Sequence, residues 1–122
     1  MAAEIQAPQP VVENLTKAEE IKLDFTSATT VKTYIELKAM EKGVDPKLAL
    51  RIAKCESNFV PQQSKHIRKD GTREKSFGVW QIHLPAHPEI TKQQAMDVEW
   101  STDWALNQMK KGNAKIWSCY RL

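Results

Sequence analysis

VDPKLALRIAKCES, residues 44–57, combines a helix start, an amphipathic body and an acid close to its end. Asp45 offers a side-chain acceptor to the free amides of a first helical turn. Pro46 follows where no amide hydrogen is needed and a φ near −65° is wanted. Leu48, Ile52 and Cys55 then fall on one face, with Ala49, Ala53 and Glu56 on the adjoining stripe. Pro61, with Asn58 before it, ends the run, so Glu56 belongs to the last turn.

Upstream, Ser27 to Thr30 supply cap candidates for a helix in TVKTYIELKAMEKG (30–43). There Val31, Tyr34, Ile35, Leu37 and Met40 stand at helical spacing and Gly43 is the stop. Downstream, QQSKHIRKDGTREK (62–75) is polar and basic and turns at Asp70-Gly71, which predicts a loop or a poorly ordered hairpin. SFGVWQIH (76–83) suits a brief strand or a buried extended segment. After the Pro85 and Pro88 breaks, KQQAMDVEW leads into STDWALNQMKKG (101–112), a further helix with Ser101 or Thr102 as cap and Gly112 as stop. The closing NAKIWSCYRL is apolar enough to return Cys119 to the core. The expected fold is mainly α, with a small irregular or β segment. Residues 1–28, with Pro8, Pro10, scattered charge and a weak apolar patch at Ile21, Leu23 and Phe25, read as an N-terminal tail or linker, and 29–122 as the domain.

A chain of 122 residues holds one domain of ordinary size. With 41% hydrophobic and 27% charged residues, it fits neither wholesale disorder nor a membrane protein, and no apolar run is long enough to span a bilayer. The net charge of +3 favours anionic surfaces without choosing among wall polymers, phosphates and nucleic acid. The opening MAAEIQAPQPVVENLTKAEE has neither the basic nor the apolar region of a secretory leader, so the chain is intracellular or its leader is absent from this sequence. Two cysteines, Cys55 and Cys119, suit a disulfide in an oxidising compartment; two buried free thiols in a cytosolic protein would read identically.

Glu56 sits where a helix favours Lys or Arg, because the negative end of the macrodipole lies there. Facing an apolar cleft as well, its carboxyl would stay protonated near neutral pH, as a general acid requires. An exposed Glu paired with Lys54 or a loop cation is the plainer alternative, and Glu56 alone does not decide between them.

Its neighbours form a compound pattern: Glu56-Ser57, Asn58-Phe59, Pro61, and then Gly78-Val79-Trp80-Gln81. In order and spacing this resembles the lytic transglycosylase and goose-type lysozyme group, the SLT-like domains of the lysozyme-like superfamily, over about residues 44–121. The resemblance implies a lysozyme-like helical domain with its small β segment near an active-site cleft. It implies a glycosidase that cuts peptidoglycan at the β-1,4 bond between N-acetylmuramic acid and N-acetylglucosamine. Glu56 matches the single catalytic acid, which then serves as base while the substrate's N-acetyl group takes the place of a protein nucleophile. Ser57 matches the serine that positions the acid or the N-acetyl group, Gln81 the glutamine lining the sugar groove, and Gly78 the glycine that lets the chain pass close to the cleft. Trp80, inside the same segment, is a candidate sugar platform. The resemblance also favours a Cys55–Cys119 bridge pinning the C-terminal segment to the catalytic helix, in a secreted, periplasmic or cell-wall protein or one carried by a phage particle. It implies a monomer that acts on glycan strands with no cofactor, no metal and no nucleic-acid partner. The tyrosine segment of many lytic transglycosylases has no counterpart, and Trp117-Ser118-Cys119-Tyr120 stands at the comparable end. The product, anhydro or hydrolytic, is therefore left open, and a catalytically inactive glycan-binding module is the alternative.

A one-carboxylate design is chemically sound, since substrate-assisted glycosidases are exceptions to the usual acid pair. Asp70, Glu74, Asp97, Glu99 and Asp103 are second-carboxylate candidates that no local context singles out. His83 and His87 have a spacing that could suggest zinc, but Pro85 between them keeps them off one helix face. The basic loop around Lys65, His66, Arg68, Lys69, Arg73 and Lys75 suits a solvated surface first, then a grip on anionic wall polymers, and last one on nucleic acid, where binding would fall with salt.

Overall fold

The computed structural model describes residues 23–121. Most of the sequence-predicted tail, including Ile21, lies outside them. Four α-helices are present among the described residues: α1 (Ala28–Lys42), α2 (Pro46–Ser57), α3 (Lys92–Met96) and α4 (Val98–Lys110). A two-stranded antiparallel sheet, β1 (Ser76–Phe77) and β2 (Ile82–His83), stands between α2 and α3 in the chain, with Ser76 opposite His83 and Phe77 opposite Ile82. Short 3-10 turns cover Leu84–Ala86, Ala114–Ile116 and Ser118–Arg121. No helix among the described residues is long and apolar enough to cross a membrane. The fold is thus mainly helical with a small sheet, as the sequence patterning predicts.

Each long helix begins where a side chain takes over its free amides. Ser27 accepts from the Thr30 amide, and Asp45 from that of Lys47 with Pro46 beside it. α1 ends on Gly43 at φ 74°, a left-handed cap that a β-carbon would burden. Its buried stripe is Val31, Ile35 and Ala39, while Leu37 and Met40 are 59% and 62% exposed. The apolar periodicity of α1 is thus wider than the face the molecule covers. α4 starts earlier than the sequence suggests: Asp97 caps it by accepting from the Trp100 amide, and Ser101 and Thr102 lie buried inside the helix. An Asp was available one turn upstream, and α3 ends on the same residue.

α1 packs against α2 and α4, α3 packs on α4 and β1, and the final 3-10 turn closes over α2. Lys42 reaches from α1 to the Asp103 carboxylate of α4 at 2.6 Å. Trp80 is at the centre, fully buried, with its indole N–H donating to Thr102 Oγ1 at 3.0 Å; Trp117 packs tilted against it, ring centroids 5.9 Å apart, and donates to the Trp80 carbonyl at 2.8 Å. A buried indole without such partners would carry an unmet donor, so these bonds fix which way the core aromatics face. Cys55 and Cys119 form a disulfide, which excludes the free-thiol reading and ties α2 to the C-terminal turn. Phe25 packs edge-on against Tyr34 at 5.3 Å ahead of α1.

Residues 62–77 fold back on themselves as an irregular hairpin. Isolated bridges join Gln63 to Phe77 and Ile67 to Arg73, and the turn closes with Gly71 donating to the Arg68 carbonyl. The guanidinium of Arg73 donates to the carbonyls of Ser64 and Gln63, so this cation staples the hairpin stem.

Candidate active site

Glu56 sits half-buried in the last turn of α2. Burial pushes its carboxyl above the usual carboxylate range; the Cys119 backbone amide pulls it back, and the negative charge of Glu74 adds to the rise. A carboxyl so placed holds its proton to higher pH than an exposed one and can deliver it to a leaving oxygen.

The backbone around it is unusual in a way that sequence periodicity does not announce. Among the described residues, the non-glycine positions with positive φ are Asn58 (53°), Phe59 (66°) and Gln81 (49°). All three belong to the two segments that carry the sequence pattern, directly after Glu56-Ser57 and at the end of Gly78–Gln81. Asn tolerates the left-handed region, but a bulky residue such as Phe59 adopts it only when its surroundings insist. Here Phe59 is 7% exposed, and burial of its ring holds the backbone in place. Strain of this kind concentrates at functional sites, where a side chain must be aimed rather than merely accommodated.

Gln81 is held accordingly. Its amide nitrogen donates to the Gln62 carbonyl at 2.8 Å and to the Gly78 carbonyl at 2.9 Å. Both N–H donors are occupied, leaving Oε1 to accept from a ligand. Gln81 lines a hollow of about 390 Å³ with His83, His87, Trp104, Ile116 and Trp117. Trp104 is half-buried and meets the His87 ring edge-on at 5.1 Å, giving the hollow an aromatic wall.

Three of the sequence-predicted site residues take other work. Trp80 is 0% exposed, so it is a core residue and no platform for a sugar; Trp104 and Trp117 are the tryptophans that share a hollow with Gln81. Ser57 is 6% exposed and its hydroxyl donates to the Ala53 carbonyl at 3.2 Å, a bond back along its own helix that leaves its oxygen to act as an acceptor only. Gly78 does permit a close approach, but to α3: at φ 86°, a β-carbon there would stand 1.8 Å from the Ala95 carbonyl oxygen. Cys55 and Cys119 join the site through the disulfide next to Glu56.

Glu74 is the residue that sequence reasoning could not separate from other acids. Its charge acts on Glu56, its Oε2 accepts from Ser64 Oγ at 3.1 Å, and its carbonyl accepts from Gln63 Nε2 at 3.1 Å. The Asp70-Gly71 turn signals a chain reversal, yet only the tertiary fold brings the returning strand toward the end of α2. His83 Nδ1 lies 3.1 Å from Ser76 Oγ and His87 Nδ1 lies 3.8 Å from Glu89. Among the described residues no group of three or more His, Cys, Asp or Glu side chains is arranged to hold a metal ion.

Compared with known proteins, the chain matches no family model, no curated protein and no solved structure.

Proposed function

We propose that the protein is a peptidoglycan-cleaving glycosidase acting on the β-1,4 bond between N-acetylmuramic acid and N-acetylglucosamine, in a lysozyme-like domain. The observation that carries the reading is Glu56, a half-buried carboxyl with a raised pKa, followed directly in the chain by left-handed backbone at Asn58 and Phe59. Glu56 donates its proton to the glycosidic oxygen as the bond breaks. Once ionised, it accepts a proton from the incoming hydroxyl, either water or the sugar's own 6-hydroxyl. Gln81 Oε1 and the aromatic hollow beside it bind the strand. The disulfide supports export to the cell wall or carriage on a phage particle.

Purified peptidoglycan digested with the native protein should release muropeptides readable by mass spectrometry, and Glu56→Gln should lower the rate by roughly 10²- to 10⁴-fold, the usual worth of a general acid. No release by the native protein, or undiminished release by the variant, overturns the reading. The same spectra separate anhydro from reducing ends. A glycan-binding module without turnover is the second reading, favoured by the engagement of the Ser57 hydroxyl within its own helix; glycan binding in the absence of product would select it.

A further inference from the structure

The net charge of the chain is concentrated in one place. Residues 62–77 hold five of the 18 basic residues and two of the 15 acids, so the full +3 resides on the hairpin. Not all of it is available. Arg73 is bound to two carbonyls of the stem, whereas Arg68 and Lys69 stand exposed at the turn, outside every ion pair formed among the described residues. The turn that carries them is ordered: Arg68 donates its amide to the Thr72 carbonyl at 2.7 Å, and Asp70 accepts from both the amide and the hydroxyl of Thr72.

A hollow of about 470 Å³ lies against this turn, lined by His66, Arg68, Lys69, Asp70, Glu74 and His83. It shares His83 with the hollow that Gln81 lines, and its Glu74 is the carboxylate whose charge acts on Glu56. Its lining is mixed, two cations and two imidazoles facing two carboxylates. A uniformly anionic phosphodiester chain would be repelled by Asp70 and Glu74. A short peptide carrying free carboxylates together with an ammonium group would find partners for both signs.

We infer that this hollow binds the peptide side chains of the glycan strand, with Arg68 and Lys69 engaging their free carboxylates, so that the protein selects peptide-bearing strands over bare ones. The inference rests on the proposed glycan reading. It assigns Arg68 and Lys69 to specificity and leaves bond cleavage to Glu56.

The test compares native protein with the Arg68→Ala/Lys69→Ala double variant on intact peptidoglycan strands and on strands stripped of peptide. Loss of two charge-assisted contacts should raise KM on peptide-bearing strands roughly ten-fold at unchanged kcat, with no change on stripped strands. An equal effect on both substrates, or none on either, overturns the inference while leaving the glycosidase reading intact. If the native protein cleaves neither substrate, the glycosidase reading fails, and binding of the free side-chain peptide followed by NMR still decides this one. Binding weakened by the double variant supports it, and no binding overturns it. Variant-sensitive binding of a phosphodiester wall polymer, with none of the peptide, also overturns it. Circular dichroism and the thermal midpoint, unchanged in the variant, show that the exposed turn still folds.

Discussion

At Glu56 the cost of burial and the proposed use of the side chain coincide. Because folding raises its pKa, the native state holds the Glu56 proton more tightly than the unfolded chain does. The sign follows by linkage. Below the unfolded carboxyl range both states are protonated and the native state carries no penalty. As pH climbs from that range through the raised native value, Glu56 progressively opposes folding. Glu56→Gln removes the penalty, so its thermal midpoint should gain on that of the native protein as pH rises from the unfolded carboxyl range through the raised native value. A gap that stays constant with pH would mean that the site is not desolvating the charge. The proposed acid role of Glu56 predicts an activity that declines over the same rise in pH. The sequence singles this residue out as a carboxylate at the wrong end of a helix, but the burial that raises its pKa comes only with the fold. Trp80 was not legible, because a tryptophan in an apolar segment has the same sequence signature whether its indole faces a groove or, as here, the Thr102 hydroxyl.

Among the elements, α2 was the most legible, since Asp45 and Pro46 act within one turn and need no tertiary information. α1 and α4 were legible as helices but not in detail. Burial of Val31, Ile35 and Ala39 rather than Leu37 and Met40 depends on where α2 and α4 pack. Gly78 shows how an element-level contact escapes a one-dimensional reading: its left-handed φ belongs to the turn between β1 and β2, but its missing side chain makes room for α3. Two substitutions separate these demands. Gly71→Ala meets open space at φ 85° and should cost only about 1–2 kcal/mol of conformational strain. Gly78→Ala meets the Ala95 backbone as well and should cost more than about 3 kcal/mol, since no flexible side chain can yield. Urea unfolding of the two variants side by side provides the measurement; equal losses would mean that α3 moves away freely and that the β1–β2 turn is not locked to it.

At the scale of the molecule, one covalent bond joins the helix bearing Glu56 to the Ser118–Arg121 turn, across a sequence separation of 64 residues. That turn also bonds to α2 through Arg51, whose guanidinium donates to the Tyr120 carbonyl, and to the core through the Trp117 indole on the Trp80 carbonyl. The bridge therefore reinforces a closure that packing already makes. In the unfolded chain it forbids the two ends of the loop from separating, a restriction worth roughly 4 kcal/mol in the chain-entropy account. Reduction by a thiol, or a paired Cys55→Ser/Cys119→Ser substitution, should thus lower the unfolding free energy by about that amount. The non-covalent bonds should keep the Ser118–Arg121 turn in place while the chain stays folded. A sharper consequence follows for Glu56, because the Cys119 amide is what moderates its raised pKa. If that turn loosens on reduction, the moderating amide withdraws and water enters in the same step, so the fall in activity with rising pH shifts between oxidised and reduced protein. If the turn holds, the two pH profiles coincide and only stability changes. The packing of Trp117 on Trp80 argues for coincidence, and a shifted profile would assign the positioning of Glu56 to the covalent bond instead.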